Sequence, residues 1–312
     1  MNKVIVTGAN GFVGSAVVKY LVSQNIEVLA LCRANRDSNI PRSPLVKISY
    51  MELSNIKELK KILPTYYYDT FFHFAWDGSA GSARFDTKLQ LSNVQWTVDA
   101  IELAHELGCQ RFVGSGSIME HETISAGFTQ GNRPGPGYIY GSGKLTAHIM
   151  GMSVAAKLNI EFIWPEITNA YGIGEVSPRL VNSTIRSCLR NQPPEFTAGT
   201  QNYDFVYIDD VARAFYLIGK NGKPFHHYII GSSTARPLKE FLLEMQRSIA
   251  PDMEFSFGQV PFTGTNLSLD CFDCQETQRD TKFRAKISFA EGTKKTMIWL
   301  KQIGDDIHDS KV

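Results

Sequence analysis

The sequence has few of the features that mark secreted, membrane or nucleic-acid-binding proteins. Its five cysteines among 312 residues are an odd number, and they lack the spacing of a disulfide framework. No apolar run approaches the ~20 residues that a membrane-spanning helix needs. The 32 basic residues are balanced by 31 acidic ones, so no charge excess suits a phosphate backbone or an anionic bilayer. We therefore expect a small polar ligand, and neither nucleic acid nor membrane as a partner.

We also expect no signal peptide, because Met1 to Val6 leads into glycines without a long apolar segment or a small-residue cleavage site. Together these absences predict a reduced, cytoplasmic protein. Hydrophobic residues make up 43% of the chain, which is enough to build the core of one large domain or of two unequal ones.

Strand and helix patterns alternate along the first half of the chain. A β-branched run at residues 4–6 stops at a glycine cluster, helical spacing follows at residues 17–22, and residues 27–31 are apolar again. Further strands are expected at residues 45–48, 70–74 and 111–113, and helices at about 93–107 and 142–157. This alternation predicts an α/β fold with a Rossmann-type doubly wound parallel sheet and ligands at the carboxyl ends of its strands.

The pattern changes after about Asn169, where segments containing proline and glycine replace the regular alternation. We expect residues 1–168 to form the dinucleotide-binding Rossmann domain, with residues 203–220 returning to it. Residues 169–202 and 221–312 are expected to form a smaller mixed α/β lobe that binds the substrate.

A glycine-rich loop at residues 7–14 follows the first strand and leads into an amphipathic helix. Its glycines allow a tight turn and a close approach of the backbone to a pyrophosphate, and the helix N-terminus adds amides and a positive dipole. An ordinary glycine turn has the same letters, but this position between strand and helix favours the dinucleotide. The cofactor contacts expected from this loop are Gly8, Asn10, Gly11, Phe12, Val13 and Gly14.

The second strand ends without the carboxylate that NAD-binding chains usually place there for the ribose hydroxyls. Cys32 and Arg33 occupy this position, and Arg36 follows. Two guanidinium groups would hold a 2′-phosphate through charge-assisted hydrogen bonds. The pattern favours NADP(H), while NAD(H) remains possible if these arginines are only solvated loop residues.

Tyr140 and Lys144 are four residues apart, which places both on one face of a helix. A free tyrosine has a pKa of about 10, and a neighbouring ammonium would lower that value toward neutrality. Ser117 ends a Ser/Gly segment after the strand at residues 111–113, where a substrate carbonyl is expected. Each feature alone arises often by chance, and the Ser/Gly segment could be a simple turn.

Taken together, these motifs resemble the extended short-chain dehydrogenase/reductases, the nucleotide-sugar epimerases, dehydratases and ketoreductases. The resemblance runs nearly end to end, through residues 7–14, Glu52-Leu53, residues 73–75, Asn93-Val94, residues 169–174, residues 204–211 and Glu291-Gly292. It implies a catalytic triad of Ser117, Tyr140 and Lys144 and a homodimer. The further cofactor contacts expected are Glu52, Leu53, Phe74, Ala75, Trp76, Asn93 and Ser115. The substrate contacts expected are Trp76, Asp77, Ser117, Met119, Asn169 and Tyr203.

The segment after Ser117 discriminates among members of the family. Dehydratases typically carry Asp-Glu there, whereas this chain has Ile118-Met119, with Glu120 one place too late. Since exchangeable NADPH suits a net reductase, we expect reduction of a keto carbon, C4 of a nucleotide-linked deoxyhexose, with Tyr140 as proton donor. A nucleotide-sugar epimerase and a non-catalytic dinucleotide-binding regulator remain as alternatives.

Two positions depart from the resemblance, because Glu166 and Tyr203 stand where many relatives have an arginine. Candidate substitutes for a diphosphate contact are Arg179, Arg186 and Lys282, although ordinary surface charge is the better explanation for all three.

We expect no metal site. Cys271 and Cys274 have no second ligand pair, and His226-His227 has no ligand partner at a useful spacing. Apolar residues Ile149, Met150 and Met152 suit either a dimer interface or an intramolecular face.

Overall fold

The computed structural model describes residues 1–34 and 36–304. Its main sheet contains six parallel strands in the order β3-β2-β1-β4-β5-β7. These strands are β1 (Lys3–Thr7), β2 (Glu27–Cys32), β3 (Val46–Tyr50), β4 (Thr70–His73), β5 (Arg111–Val113) and β7 (Glu161–Ile163). The predicted Rossmann-type parallel sheet is thereby confirmed.

The described residues also contain nine short strands, which are β6 (Gly116–Ser117), β8 (Glu166–Ile167), β9 (Ala170–Tyr171), β10 (Glu195–Phe196), β11 (Asn202–Tyr203), β12 (Val206–Tyr207), β13 (Ile229–Ile230), β14 (Arg236–Pro237) and β15 (Ser256–Phe257). They form four smaller sheets in the orders β13-β8-β6, β12-β9, β10-β15 and β11-β14. The helices are α1 (Phe12–Ser23), α2 (Thr87–Glu106), α3 (Met119–Phe128), α4 (Tyr138–Leu158), α5 (Leu180–Leu189), α6 (Ile208–Asn221), α7 (Leu238–Ile249), α8 (Gln275–Thr281) and α9 (Phe289–Ile303). Short 3₁₀ helices span Leu53–Lys61, Ser82–Phe85 and Leu269–Phe272.

Both faces of the main sheet are buried, and successive residues of a strand alternate between them. Val4, Val6 and Phe72 face the layer that contains α1 and α6. Ile5, Phe71 and their neighbours face the layer that contains α2 and α4. This second face holds a row of aromatic rings across adjacent strands, with centroids 5.6 Å apart for Phe71–Phe112, 6.0 Å for Phe112–Phe162 and 5.9 Å for Phe162–Trp164.

The two helices that bring side chains to the candidate site begin earlier than the sequence predicts. Helix α2 begins at Thr87 rather than about Asn93, because the carboxylate of Asp86 accepts a hydrogen bond from the Leu89 amide and caps it. Helix α4 begins at Tyr138 rather than about Ser142. Tyr140 therefore lies within the first turn of a helix, together with Lys144 one turn later.

The second half of the chain packs against the first without a linker. Helix α6 lies beside α1, and the apolar core on this side of the sheet continues into Phe205, Phe241 and Phe289. The rings of Phe205 and Phe289 stack at 5.0 Å, and that of Phe241 meets both edge-on. Within residues 1–34 and 36–304, the helices are all too short or too polar to cross a membrane.

Candidate active site

A cleft with an interior volume of about 520 Å³ lies at the carboxyl ends of the parallel strands. This is the place where open α/β sheets bind their ligands. Of the residues expected to contact a cofactor or substrate, those lining the cleft are Gly8, Asn10, Gly11, Phe12, Val13, Gly14, Arg33, Arg36, Glu52, Leu53, Phe74, Ala75, Trp76, Asp77, Ser115, Ser117, Tyr140 and Lys144.

The floor of the cleft is the glycine loop between β1 and α1. Gly8 has a φ of +64°, and a Cβ on it would lie 2.6 Å from the amide nitrogen of Ala75. A Cβ on Gly14 would overlap the carbonyl oxygen of Gly8. At Gly8 and Gly14 the backbone is therefore so close to neighbouring backbone that a side chain would not fit. Helix α1 begins at Phe12, and its first amides have no partner within the helix. This arrangement fits a dinucleotide, whose pyrophosphate needs that space and those amides.

Two asparagines join the glycine loop to the segment after β2. The backbone amide of Asn39 donates to Oδ1 of Asn10 at 2.7 Å, and the Asn39 side chain donates to the Asn10 carbonyl at 3.1 Å. Both residues line the cleft. Asn39 was not predicted, because its partner is 29 positions away.

Positive charge lies at the end of β2, as the sequence predicts, but it is paired. The Arg33 guanidinium is 3.2 Å from the carboxylate of Asp77, which follows β4, and both side chains are well exposed. Arg36 also lines the cleft. Cys32 is buried, and burial raises the pKa of its thiol, so this position offers no anion to a ribose.

Lys144 is a buried residue of the cleft lining. Its Nζ donates to the carbonyl of Ser115 at 2.8 Å and lies 3.8 Å from the centroid of the Trp76 ring. Burial lowers the pKa of Lys144 to about 7, although the nearby Glu120 carboxylate opposes that change. The ammonium is thus held by a carbonyl and an aromatic face.

Tyr140 lies between Arg84 and Trp76. The Arg84 guanidinium is 4.4 Å from the centroid of the tyrosine ring, and Trp76 meets that ring edge-on at 6.1 Å. Burial raises the pKa of Tyr140, while the charges of Arg179 and Arg84 and a hydrogen bond from Ser117 act in the opposite direction. The expectation that Lys144 lowers this pKa is wrong, because burial dominates and the opposing cations are arginines.

Ser117 is held at the end of β6 by its neighbours in the chain. Its backbone amide donates to Oε1 of Glu120 at 2.9 Å, and its hydroxyl accepts from the Met119 amide at 3.2 Å. Oε1 of Glu120 also accepts from the Trp164 indole at 3.1 Å, and Oε2 lies 2.9 Å from Nδ1 of His148.

Four of the expected contacts lie outside the lining of the cleft, namely Asn93, Met119, Asn169 and Tyr203. Asn93 instead holds the main chain of Asp77, donating to its carbonyl and accepting from its amide, each at 2.8 Å. Asn169 donates to the carbonyl of Asp204 at 3.0 Å. The ring of Tyr203 packs 5.5 Å from that of Phe205. Asn93 and Asn169 thus shape the loops around the cleft from behind.

The structure adds three charged residues to the site and its surroundings. The sequence offered Arg179 only as one of three candidates, and it did not point to the other two. Arg179 lines the cleft, unlike the other two candidates of the sequence, since Arg186 is buried in α5 and Lys282 caps the end of α8. Arg84 enters from the turn before α2, and Glu122 from α3. Burial raises the pKa of Glu122 to about 7, with Arg84 opposing the change. No local pattern marks Arg84 or Glu122, because folding alone brings Arg84 to Tyr140 and Glu122 to Arg84.

Sequence spacing offered His227 no partner, and the structure brings it one from a distant segment. Its Nε2 lies 3.2 Å from Oε1 of Glu166, and His121 approaches the other oxygen of the same carboxylate. These residues are too far apart in the sequence for a spacing rule to connect them. Cys271 and Cys274 are both unpaired thiols, and burial raises the pKa of Cys274 to about 11.

The raised pKa of Glu122 predicts a pH-dependent stability. The folded protein holds this proton up to about pH 7, whereas an unfolded chain loses it near pH 4.3. The contribution of Glu122 is therefore fully present below the unfolded pKa and is lost as the pH rises through about 7. We expect Glu122→Gln to raise the free energy of unfolding by roughly 1–3 kcal/mol at pH 8.5 and to change it little at pH 4.5.

Chemical denaturation at the two pH values measures this difference. Glu195→Gln is the control, because Glu195 is exposed on β10. A stabilisation of equal size at both pH values would show that the effect of Glu122→Gln is not the titration of a buried carboxyl.

Comparison with known proteins agrees with the interpretation of the cleft as a dinucleotide site. The family model described as the NAD dependent epimerase/dehydratase family matches residues 4–231. The chain is 20% identical to a dTDP-glucose 4,6-dehydratase of Haemophilus influenzae, over 96% of this chain and 98% of the relative. It is 24% identical to a dTDP-4-dehydro-6-deoxyglucose reductase of Escherichia coli, over 85% and 87% respectively.

Solved structures share the fold over nearly the whole chain. The UDP-glucose 4-epimerase of Thermotoga maritima, solved with UDP-glucose, has a TM-score of 0.81 at 19% identity and covers 97% of this chain and 99% of its own. The Bordetella bronchiseptica enzyme WbmF in complex with NAD⁺ has a TM-score of 0.78 at 21% identity, covering 98% and 94%. The resemblance stated from the sequence motifs is confirmed, and the chain belongs to the NAD-dependent epimerase/dehydratase family of enzymes.

Proposed function

We propose that this protein is an NADPH-dependent reductase that acts on the keto group of a nucleotide-linked sugar, at C4 of a deoxyhexose. The observation that supports the proposal most directly is the convergence of Ser117, Tyr140 and Lys144 on one cleft with the glycine loop. When bound, the cofactor would supply the hydride that the keto carbon needs. The protein would supply a proton, an oxygen partner and a dry, charged environment.

Tyr140 is suited to donate the proton. A phenol is protonated at neutral pH, which is the form that a proton donor needs, and the charges of Arg179 and Arg84 oppose the rise in pKa that burial causes. The arginines that act on the ring, Arg84 and Arg179, would stabilise the phenolate after the proton leaves. Ser117 would hydrogen-bond the substrate oxygen as negative charge develops on it.

The environment of Glu120 argues against a dehydratase. An elimination needs an additional acid and base facing the sugar, and Glu120 is the acidic residue nearest after Ser117. Its carboxylate is 1% exposed and is engaged by Ser117, Trp164 and His148. It is therefore turned into the protein and away from a ligand.

The choice of NADPH rests on the end of β2. No carboxylate stands at Cys32, and two arginines of the cleft follow it. The contact between Arg33 and Asp77 is an exposed ion pair, and such pairs contribute only about 0–1 kcal/mol. A 2′-phosphate could therefore replace Asp77 as the partner of Arg33 at little cost.

The nucleotide-sugar substrate is inferred from the relatives and from the cations of the cleft. The two curated relatives act on dTDP-linked sugars by their names, and the Thermotoga maritima epimerase was solved with UDP-glucose. Arg179 lines the cleft near Tyr140, and its guanidinium group would hold a substrate diphosphate. It would take the place of the arginine that Tyr203 replaces.

A nucleotide-sugar epimerase is the second candidate, supported by the TM-score of 0.81 with the UDP-glucose 4-epimerase. An epimerase oxidises and re-reduces the same sugar and consumes no cofactor, so stoichiometry separates the two. A non-catalytic regulator is less well supported, because all three triad side chains are present and share the cleft.

The decisive experiment incubates the protein with NADPH and a panel of nucleotide-linked 4-keto sugars. We expect stoichiometric loss of NADPH absorbance with one of them and a product that gains two hydrogen atoms. Tyr140→Phe should lower turnover at least about 100-fold, because the proton donor is lost, and should leave NADPH binding nearly unchanged. The matched control is Tyr138→Phe, two residues earlier on α4, whose hydroxyl bonds Thr265 outside the cleft.

An isomerised sugar without net consumption of NADPH would identify the epimerase instead. Full turnover in Tyr140→Phe would refute the assignment of the proton donor.

Cofactor selection is tested separately with Arg33→Ala and Arg36→Ala. A charge-assisted hydrogen bond contributes about 1.5–3 kcal/mol, so each change should weaken NADPH binding about tenfold or more while NADH binding stays the same. Arg42→Ala is the control, because Arg42 is exposed and bonds Asp37. Titration by fluorescence gives both constants. Equal losses for the two cofactors would contradict a 2′-phosphate contact.

We also propose a homodimer formed through α2 and α4. Leu91 of α2 and Ile149, Met150 and Met152 of α4 are exposed apolar residues, between 37% and 61% accessible. The structure thus leaves them outside the intramolecular core, and adjacent apolar residues on paired helices are typical of an interface.

Light scattering tests this interface. We expect the mass of a dimer for the wild type and of a monomer for Ile149→Glu, because a buried charge opposes association. Phe128→Glu is the control, since Phe128 is 82% exposed on α3. A wild-type monomer, or a dimer that survives Ile149→Glu, would contradict the proposed interface.

A further inference from the structure

A cluster of histidine and carboxylate side chains lies behind Ser117, outside the cleft. Its centre is Glu166 on β8, and β8 pairs with β6 so that Glu166 is opposite Gly116. His121 comes from the first turn of α3, and His227 from the segment before β13. The reduction proposed above uses none of these three side chains.

The three side chains direct their polar atoms at one another. Nε2 of His121 lies 2.8 Å from Oε2 of Glu166, and Nε2 of His227 lies 3.2 Å from Oε1. All three ligand atoms lie within 4.8 Å of one another. A single small ion can therefore reach all of them.

The carboxylate at the centre is buried, and one of its contacts is poorly aligned. Glu166 is only 4% exposed. Its Oε2 lies 2.8 Å from the buried Nε2 of His121, but this contact lacks the alignment of a hydrogen bond. Buried polar atoms of native proteins nearly always have a partner, so this pair points to a group that belongs between them.

We propose that His121, Glu166 and His227 bind a divalent transition-metal ion of the Zn²⁺ type. Two imidazole nitrogens and a carboxylate oxygen are a known zinc donor set, with water in the fourth position. Zinc bonds of about 2.0–2.2 Å place tetrahedral ligand atoms about 3.3 Å apart, so the observed separations need small shifts of the side chains. His227 is half exposed and gives the ion access from solvent.

A second pair of side chains connects this ion to the strand that carries Ser117. His148 lies 2.9 Å from Glu120 and 3.9 Å from Glu166, and Glu120 accepts from the Ser117 amide. Glu120 also precedes His121 directly in α3. The ion would thus tie the start of α3 to β8 and to the His227 segment, and would hold Ser117 from behind.

The test measures metal binding itself, so it is independent of whether the proposed reduction is correct. Protein without an affinity tag is stripped with a chelator, dialysed against Zn²⁺ and analysed for bound metal, and the dissociation constant is measured by competition with a chromophoric chelator. We expect one ion per chain and a higher melting temperature with Zn²⁺ than without. A wild-type protein that binds no Zn²⁺ would overturn the proposal.

Variants locate the ion. His227→Ala should weaken binding by more than about 100-fold, since loss of a mere supporting contact already costs 10–100-fold, and its half-exposed position protects the fold. Glu166→Gln should have the same effect and is a second variant in case one fails to fold. The matched control is His226→Ala, an adjacent histidine that faces Glu276 and Asp280 instead.

Cys271→Ser serves as a further control, because it removes a half-buried thiol that could otherwise bind zinc. Both controls should bind Zn²⁺ as the wild type does. Binding that is lost in either control, or retained in His227→Ala, would place the ion elsewhere and refute the site.

Discussion

The buried carboxylate of Glu120 is the interaction on which the arrangement of this site depends. One side chain accepts from the amide that ends β6 and from the indole of Trp164, and it contacts the imidazole of His148. It thereby joins the strand of Ser117, the aromatic row of the main sheet and helix α4, which contains Tyr140 and Lys144. Because a buried carboxylate is costly unless its oxygens are paired, these three partners must assemble together, and Ser117, Tyr140 and Lys144 are placed as one unit.

The cations of the site form two groups with different surroundings. At the end of β2, Arg33 and Arg36 are exposed cations near the glycine loop. Near Tyr140, burial lowers the pKa of Lys144 to about 7, and the guanidinium of Arg84 lies over the tyrosine ring. Since a guanidinium stays protonated when it is buried, the surroundings of Tyr140 keep a positive charge when Lys144 is neutral.

The sequence was sufficient for features that depend on neighbours in the chain. The parallel sheet follows from alternating periodicity, and the glycine loop from its position between β1 and α1, and both are confirmed. Contacts between distant segments of the chain could not be predicted. Examples are the positions of Arg84 and Glu122 and the contact between His227 and Glu166. The burial of these side chains could not be predicted from the sequence either. This explains why the pKa of Tyr140 is raised, although its four-residue spacing from Lys144 suggested that it would be lowered. Asn93 was predicted only in part. The motif correctly places it beside the loops of the cleft, but its side-chain amide binds the main chain of Asp77 instead of lining the cleft.

The unbroken apolar core on the α1 and α6 side limits how this enzyme can select its substrate. Val4 and Val6 of the sheet belong to the same packed cluster as Phe241 and Phe289 of the C-terminal segments. A rocking motion of one part against the other would expose aromatic surface to water, at about 25 cal/mol for each Å². Discrimination between substrates then falls to the side chains that line the cleft, so exchanging a few of them is a short evolutionary route from one substrate to another.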